Sequence, residues 1–228
     1  MKHYYSEFPN QLHQLNVSLS KNIYLLTDGS FKTQEKKFDI NFKNHHKTGK
    51  RHLVNYVIRD HFSGCYYAEI HPADDLPHIV SFLYNAWRSK ESFPFKGIPK
   101  YLSITKTILD QWPHILNFEG KYKKCTLQLA TSGFANGVIS VKKWEKDFKF
   151  FLYKLSDGWY DNIKHEKIEI KEFSRKTFDV ACNDSNKGWE WDNEPSPLDK
   201  WMNNNPYIET LENPDEFLEL FQPPNTKS

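Results

Sequence analysis

The segment from Leu53 to Pro72, LVNYVIRDHFSGCYYAEIHP, constrains the fold of this chain more than any other. It contains two consecutive stretches rich in β-branched and aromatic residues, separated by the turn dipeptide Ser63-Gly64 and closed by a proline. Such stretches are typical of β-strands, and glycine and proline mark where strands end. We therefore expect two consecutive antiparallel strands here, on which the neighbouring elements pack.

A third strand is predicted just before this pair. In residues 37–43, KFDINFK, apolar residues alternate with polar ones, which is the period-two pattern of a half-buried strand. Asp39 lies on the polar side of that pattern. The polar residues 44–51 would form the turn into the next strand, giving a meander from 37 to 70.

Helices and strands alternate after Pro72. Residues 74–90 place apolar side chains on one helical stripe, and two aspartates at the start favour the positive end of the helix dipole. Strands are predicted over 101–104 and 123–130, and a helix over 141–155. This order predicts an α/β fold with a mixed sheet flanked by helices.

Two blocks in this order resemble the catalytic core of retroviral integrases and bacterial DDE transposases, which has a ribonuclease-H-like fold. One family block reads G-x-P-x-x-L-x-x-D-x-G, and residues 97–107, GIPKYLSITKT, match it with Thr105 at the aspartate position and Thr107 at the last glycine. Another reads N-G-x-x-E, and here Asn136-Gly137 lead to Ser140. Thr105 and Ser140 are 35 positions apart, a spacing typical of the family's second and third acids.

The resemblance implies a vestigial catalytic triad. The family joins DNA strands with two magnesium ions, held by one aspartate in a strand, a second at the end of a neighbouring strand, and a glutamate on a helix above both. Asp39 fits the first position, whereas Thr105 and Ser140 have hydroxyl groups. Because carboxylate charge holds the metal ions, we expect an inactive core without a metal or other cofactor.

An alternative is an active metal-dependent polynucleotidyl transferase or nuclease, with magnesium held by relocated acids. The candidates for such a site are Asp28, Asp60, Asp110, Glu119 and Glu145. Asp60 has a simpler interpretation as a turn-capping or solvated carboxylate. Asp110 and Glu145 each follow an expected position by five residues, which on a helix turns a side chain by about 140° from that position.

Basic residues form two clusters that would border the nucleic-acid groove of this fold. Those predicted to contact phosphates are Lys36, Lys37, Lys43, Lys47, Lys50, Arg51, Lys142 and Lys143. Phosphate contacts are independent of base sequence and sensitive to salt. The net charge of +2 does not require a nucleic acid, so an ordinary solvated face is the alternative.

Three regions are expected: a lead-in over 1–35, a ribonuclease-H-like core over 36–155 and a C-terminal appendage with an acidic tail over 156–228. The tryptophans of the appendage, such as Trp201, would pack on the core. No apolar run reaches the roughly 20 residues that span a bilayer, and three widely separated cysteines fit a reducing compartment. We expect a cytoplasmic protein that does not contact a membrane.

The function predicted from these features is that of a degenerate integrase- or transposase-like protein of a mobile element. It would bind DNA, a transposase or another mobile-element protein, or a second copy of itself, without strand transfer. A protein-interaction module that uses the acidic C-terminus is a further alternative.

Overall fold

The computed structural model describes residues 5–116, 125–130, 135–155, 168–188 and 194–204, together with residues 206, 208, 211 and 217. The strands in that part of the chain are β1 (Leu12–Leu25), β2 (Phe31–Thr33), β3 (Arg51–Asp60), β4 (Tyr66–Pro72), β5 (Tyr101–Ile104) and β6 (Thr126–Leu129). The α-helices are α1 (Ile79–Trp87), α2 (Lys106–Gln111), α3 (Ala135–Leu155), α4 (Arg175–Asn186) and α5 (Pro197–Asn203).

The six strands form one mixed sheet in the order β4-β3-β1-β5-β6, with β2 paired to β1 outside this path. Strand β3 is antiparallel to both β1 and β4, whereas β5 is parallel to β1 and β6 is parallel to β5. Helices flank the sheet. The predicted α/β, ribonuclease-H-like fold class is therefore confirmed.

The central strand of the sheet is β1, which lies in the region that the sequence analysis assigned to a lead-in. Along its first half, Leu15, Val17 and Leu19 are buried, while Asn16 and Ser18 between them are half-buried. This alternation is the strand pattern, and β1 pairs with β3 from His13 to Leu25 with one register shift after Leu19. The sheet thus begins closer to the N-terminus than the predicted core of 36–155.

The strand predicted over residues 37–43 is wrong, because this segment has no strand structure. Its alternation arises from packing: Ile40 is buried, and Phe38 and Phe42 pack against the core from outside the sheet. One backbone hydrogen bond, from the Phe38 N–H to the carbonyl oxygen of Lys21, holds the segment beside the strand β1.

The two faces of the sheet are covered by different helices. On the face that we call the α3 face, Val141, Trp144 and Phe148 of α3 are buried, and α3 contacts β1 and β3. On the opposite face, the α1 face, Phe82 of α1 packs against the Tyr56 ring of β3. Because successive strand residues point to opposite faces, Asn55 and Tyr56 lie on different sides of the sheet.

Aromatic residues attach the C-terminal part of the chain to the α1 face. Trp201 of α5 is buried and stacks near Phe95, with ring centroids 4.8 Å apart. Phe217 is buried as well, with its ring 6.1 Å from Tyr84 and 5.9 Å from Trp87 of α1. In the described ranges of the chain, no helix combines the length and apolar character needed to cross a bilayer.

Candidate functional site: a neutral polar face beside a lysine surface

The three positions of the predicted triad lie in different settings. Asp39 is exposed and outside the sheet, where its backbone carbonyl accepts a hydrogen bond from Asn44. Thr105 directly follows β5 and occupies the N-cap position of α2. Ser140 is buried near the start of α3, with 3% of its surface exposed. Asp39 therefore does not occupy the mid-strand position that the prediction required, because its segment packs beside the sheet instead of joining it.

The residue in the mid-strand position is Asn16. Strand β1 neighbours β5, and their parallel register places Gln14 opposite Ser103. Asn16 lies two residues after Gln14, and Thr105 lies two residues after Ser103. Residues two apart in an extended segment share a face. The face that carries Asn16 is the α3 face, because Asn55 opposite Ser18 donates a hydrogen bond to Glu145 of α3. The α3 face thus carries Asn16 in the middle of β1, while Thr105 directly follows β5 and Ser140 lies on α3.

All three of these side chains are uncharged, so they offer no carboxylate to a divalent cation. The alternation of polar and apolar residues from Gln14 to Ser20 is the sequence pattern that could have indicated a strand carrying Asn16. Among the residues that the structure describes, no three His, Cys, Asp or Glu side chains are grouped so that they could hold a metal ion.

Glu145 is the candidate relocated acid that lies closest to this face. Its Oε1 atom accepts hydrogen bonds from the Asn55 side-chain amide and from the Lys21 backbone N–H, both at 3.1 Å. These bonds tie α3 to β1 and β3. The carboxylate therefore acts as a fixed link between the helix and the sheet.

Asp60 has a structural role in a different place. One carboxylate oxygen accepts the Asn10 backbone N–H at 2.8 Å, and the other accepts the Ser63 N–H and hydroxyl, both at 2.7 Å. Burial raises the pKa of Asp60, and the bonds from Ser63 and Asn10 act in the opposite direction. The turn-capping interpretation is correct, although the carboxylate is fully buried and not solvated.

Two of the other candidate acids lie in a turn and on a helix surface. Asp28 accepts hydrogen bonds from the backbone and hydroxyl of Ser30 in the turn after β1. Asp110 is exposed on α2, and Glu119 lies outside the described residues.

Several polar atoms on the α3 face have no hydrogen-bond partner in the described part of the chain. They are Ser18 Oγ and Asn55 Oδ1, which belong to directly opposed residues of β1 and β3, and Trp144 Nε1 on α3. Together with Asn16, these uncharged groups form a polar layer beneath the helix, where the carboxylate of Glu145 bonds to Asn55.

Beside this layer, basic residues from two parts of the chain meet at Lys21. The Lys21 backbone N–H donates to Glu145 of α3, and its carbonyl accepts the N–H of Phe38 at 2.9 Å. The loop before β3 and the helix α3 thus approach each other here. We call the exposed basic residues around this point the lysine surface: Lys21, Lys36, Lys37, Lys142 and Lys146.

None of these five ammonium groups forms an ion pair with any described residue. Lys21 was not among the predicted contacts, because a single lysine in the β1 sequence is not part of a cluster there. The exposed residues Lys43 and Lys47 follow further along the loop.

Three predicted basic residues have partners of their own. Lys143 lies 2.7 Å from the Asp147 carboxylate and donates to the Ser185 carbonyl of α4, so it faces α4. Arg51 pairs with Asp74 at 2.9 Å. The Lys50 ammonium lies 4.2 Å from the centre of the Tyr24 ring, a cation–π contact.

Comparison with known proteins adds no relative: no family model matches the chain, and no curated protein matches its sequence.

Proposed function

We propose that this chain is a catalytically inactive relative of the DDE integrases that binds DNA through the lysine surface. The observation that supports this proposal is that the loop before β3 and the helix α3 both contact the Lys21 backbone by hydrogen bonds. Both segments carry exposed lysines that form no ion pair with a described residue. The mobile-element origin comes from the sequence resemblance alone.

The proposed contacts are with phosphate groups. Lysine ammonium groups bind phosphate as point charges, and each neutralised phosphate releases counterions from the DNA. Binding through five lysines therefore predicts a slope of about −4 to −5 in the plot of log affinity against log salt concentration. No base preference is expected, because phosphate contacts carry no sequence information.

The proposal of inactivity depends on Asn16, Thr105 and Ser140. Two unit charges about 4 Å apart attract by roughly 4 kcal/mol at an effective dielectric constant of 20. Three neutral side chains provide none of this attraction toward a pair of divalent cations. A two-metal mechanism of strand transfer therefore has no support from these residues.

We place the protein in the cytoplasm. Cys65, Cys125 and Cys182 are all free thiols and all buried, which fits a reducing compartment.

DNA binding is tested by charge reversal on the lysine surface. We expect the triple variant Lys21→Glu, Lys142→Glu, Lys146→Glu to bind a short duplex at least about tenfold more weakly at low salt, with a smaller salt slope. The matched control reverses three lysines elsewhere, Lys171, Lys187 and Lys200, each of which has an acidic partner in the structure. Equal losses in both triple variants, or no binding by the wild type, would refute the proposal.

Inactivity is tested with a nuclease and strand-transfer assay in Mg²⁺ and in Mn²⁺. We expect no metal-dependent cutting by the wild-type protein. The restored variant Asn16→Asp, Thr105→Asp, Ser140→Glu should gain a melting-temperature increase with Mn²⁺ that the wild type lacks, because carboxylates supply the charge for a divalent cation. Wild-type cutting that disappears in Asp39→Ala or Glu145→Gln would establish the alternative of relocated acids.

A further inference from the structure

The side of α3 that points away from the sheet carries lysines and aromatic rings in one row. On a helix with 3.6 residues per turn, the members of this row lie within an arc of about 100° and extend over about 21 Å of the axis. The buried residues Trp144 and Phe148 lie on the opposite side of the helix. We call this row the α3 stripe: Ile139, Lys142, Lys146, Lys149, Phe150 and Tyr153.

Two aromatic side chains of the α3 stripe reach solvent. Phe150 exposes 36% of its surface and Tyr153 exposes 45%. They are three residues apart, so the two rings are neighbours on the helix surface. Large apolar groups that are exposed together mark interaction surfaces more often than single exposed ones do.

The α3 stripe is positively charged without a compensating acid. Its three lysines form no ion pair with any residue that the structure describes. The two acids of α3 lie outside the stripe, where Glu145 bonds to the sheet and Asp147 pairs with Lys143. In addition, the Lys154 ammonium lies 5.1 Å from the centre of the Phe150 ring. The charge of this surface therefore favours an anionic partner.

We propose that the α3 stripe binds single-stranded DNA, with phosphates on its lysines and bases stacked on Phe150 and Tyr153. This inference rests on the proposed DNA binding by the lysine surface, with which the stripe shares Lys142 and Lys146, and it specifies the form of the DNA. Grooves that bind single strands combine basic residues with aromatic rings. The bases of a duplex are stacked on one another, so an unpaired base is needed to cover a ring. Because every base has a π-face, stacking requires no particular sequence.

The test compares a single-stranded oligothymidylate of about 12 nucleotides with a duplex of the same length, bound by the full chain at low salt. We expect the single strand to bind at least about fivefold more tightly. The double variant Phe150→Ala, Tyr153→Ala should lose at least about tenfold in affinity for the single strand. Its salt slope and its duplex affinity should stay unchanged, because the lysines remain.

The matched control is Tyr101→Ala, since Tyr101 of β5 is exposed to a similar degree, 38%. This control should bind both forms of DNA as the wild type does. Circular dichroism checks the fold, and if the double variant unfolds, Tyr153→Ala replaces it, with Tyr153→Phe as the control that keeps the ring. Photo-cross-linking of a single strand that contains iododeoxyuridine should attach it to Phe150 or Tyr153.

The outcomes separate this inference from the proposed function. Equal affinity for the single strand and the duplex, or wild-type affinity of the double variant for the single strand, would overturn the inference and leave duplex binding by the lysine surface intact. Binding of neither form would refute both. Cross-links confined to residues outside α3 would also overturn the inference.

Discussion

The polar side chains on the α1 face and on the α3 face of the sheet differ in how completely they are hydrogen-bonded. On the α1 face the carboxylates of Asp60 and Glu69 are buried, and each accepts hydrogen bonds at both oxygens. On the α3 face Asn16, Ser18 and Asn55 of the two central strands are neutral, some of their atoms lack partners among the described residues, and the half-buried Arg59 donates a hydrogen bond to Gln14.

This difference predicts unequal contributions of the two faces to stability. Buried charges with complete hydrogen bonds fix a unique arrangement, and their removal is costly because the partners remain buried. Neutral polar groups can be exchanged at a smaller cost. The α1 face therefore contributes more to the stability of the fold, and the α3 face should tolerate substitution better.

The largest effect is expected when the α1 face loses the buried carboxylate of Asp60. Asp60→Ala leaves the Asn10 N–H and both Ser63 donors without their acceptor, so we expect the free energy of unfolding to fall by about 3 kcal/mol or more. Urea denaturation at neutral pH measures this change. The control Asp39→Ala removes an exposed carboxylate and should change the free energy by less than about 0.5 kcal/mol. Equal effects would remove the distinction between these two acids.

The free energy of unfolding should depend on pH because of His13, which also lies on the α1 face. Its Nδ1 accepts the Trp87 indole N–H at 3.1 Å, and its Nε2 lies 2.7 Å from Asn10 Oδ1, so the ring is a neutral donor and acceptor. Burial, with a smaller effect of the Lys90 charge, lowers the pKa of His13 from 6.5 to about 3. As the pH falls, His13 therefore binds a proton in the unfolded chain before it does so in the folded protein. The stability that His13 contributes is complete above pH 6.5 and is lost as the pH falls toward 3.

The size of this loss can be measured against a variant. Between pH 7 and pH 5 we expect the His13 contribution to decrease by about 2 kcal/mol. In His13→Gln the difference in the free energy of unfolding between these two pH values should be smaller by that amount, although the variant is less stable at both. An unchanged difference would show that His13 does not titrate in this way.

A smaller effect is expected from the link between α3 and the sheet. Glu145→Ala removes the acceptor of the Asn55 amide and the Lys21 N–H, at a cost of about 1 kcal/mol in the free energy of unfolding. Because α3 carries Lys142 and Lys146, DNA affinity should change as well if the lysine surface binds phosphates. The control Glu35→Ala removes an exposed carboxylate of the neighbouring loop, and it measures the effect of losing one negative charge alone.

The smallest effect is expected at Ser18. Its hydroxyl has no hydrogen-bond partner in the described residues, so Ser18→Ala should change the free energy of unfolding by less than about 0.5 kcal/mol. Ser63→Ala on the other side of the sheet removes a hydroxyl that bonds to Asp60 and accepts the Cys65 N–H, and should cost about 1 kcal/mol or more. Similar costs for the two serines would contradict the comparison of the faces.

The hairpin and the elements after it were predictable from local pattern. The expected strands within 53–72 are β3 and β4, the strand at 101–104 is β5, and the helix at 141–155 is the larger part of α3. These segments have continuous apolar or helical periodicity, which depends on neighbours a few residues away and is visible in the sequence. The helix expected over 74–90 begins at Ile79, because Pro77 and the His78 cap precede it.

The central strand was not predictable in the same way. Central strands of mixed sheets are usually apolar on both faces, whereas β1 carries Gln14, Asn16, Ser18 and Ser20 on one of them. Residues 37–43 show a cleaner alternation and yet lie outside the sheet. Periodicity reports which side chains are buried, but it does not report which backbone groups pair.

The sequence by itself determined the fold class, the hairpin of β3 and β4 and the absence of acids at Thr105 and Ser140, because each depends on residue types at fixed local spacing. Only the tertiary structure decided that β1 with Asn16 is the central strand, that two basic segments contact Lys21 and that side chains of α4 cap the edge of β4. These features depend on strand pairing between residues distant in the chain, and no local pattern encodes which strands become neighbours.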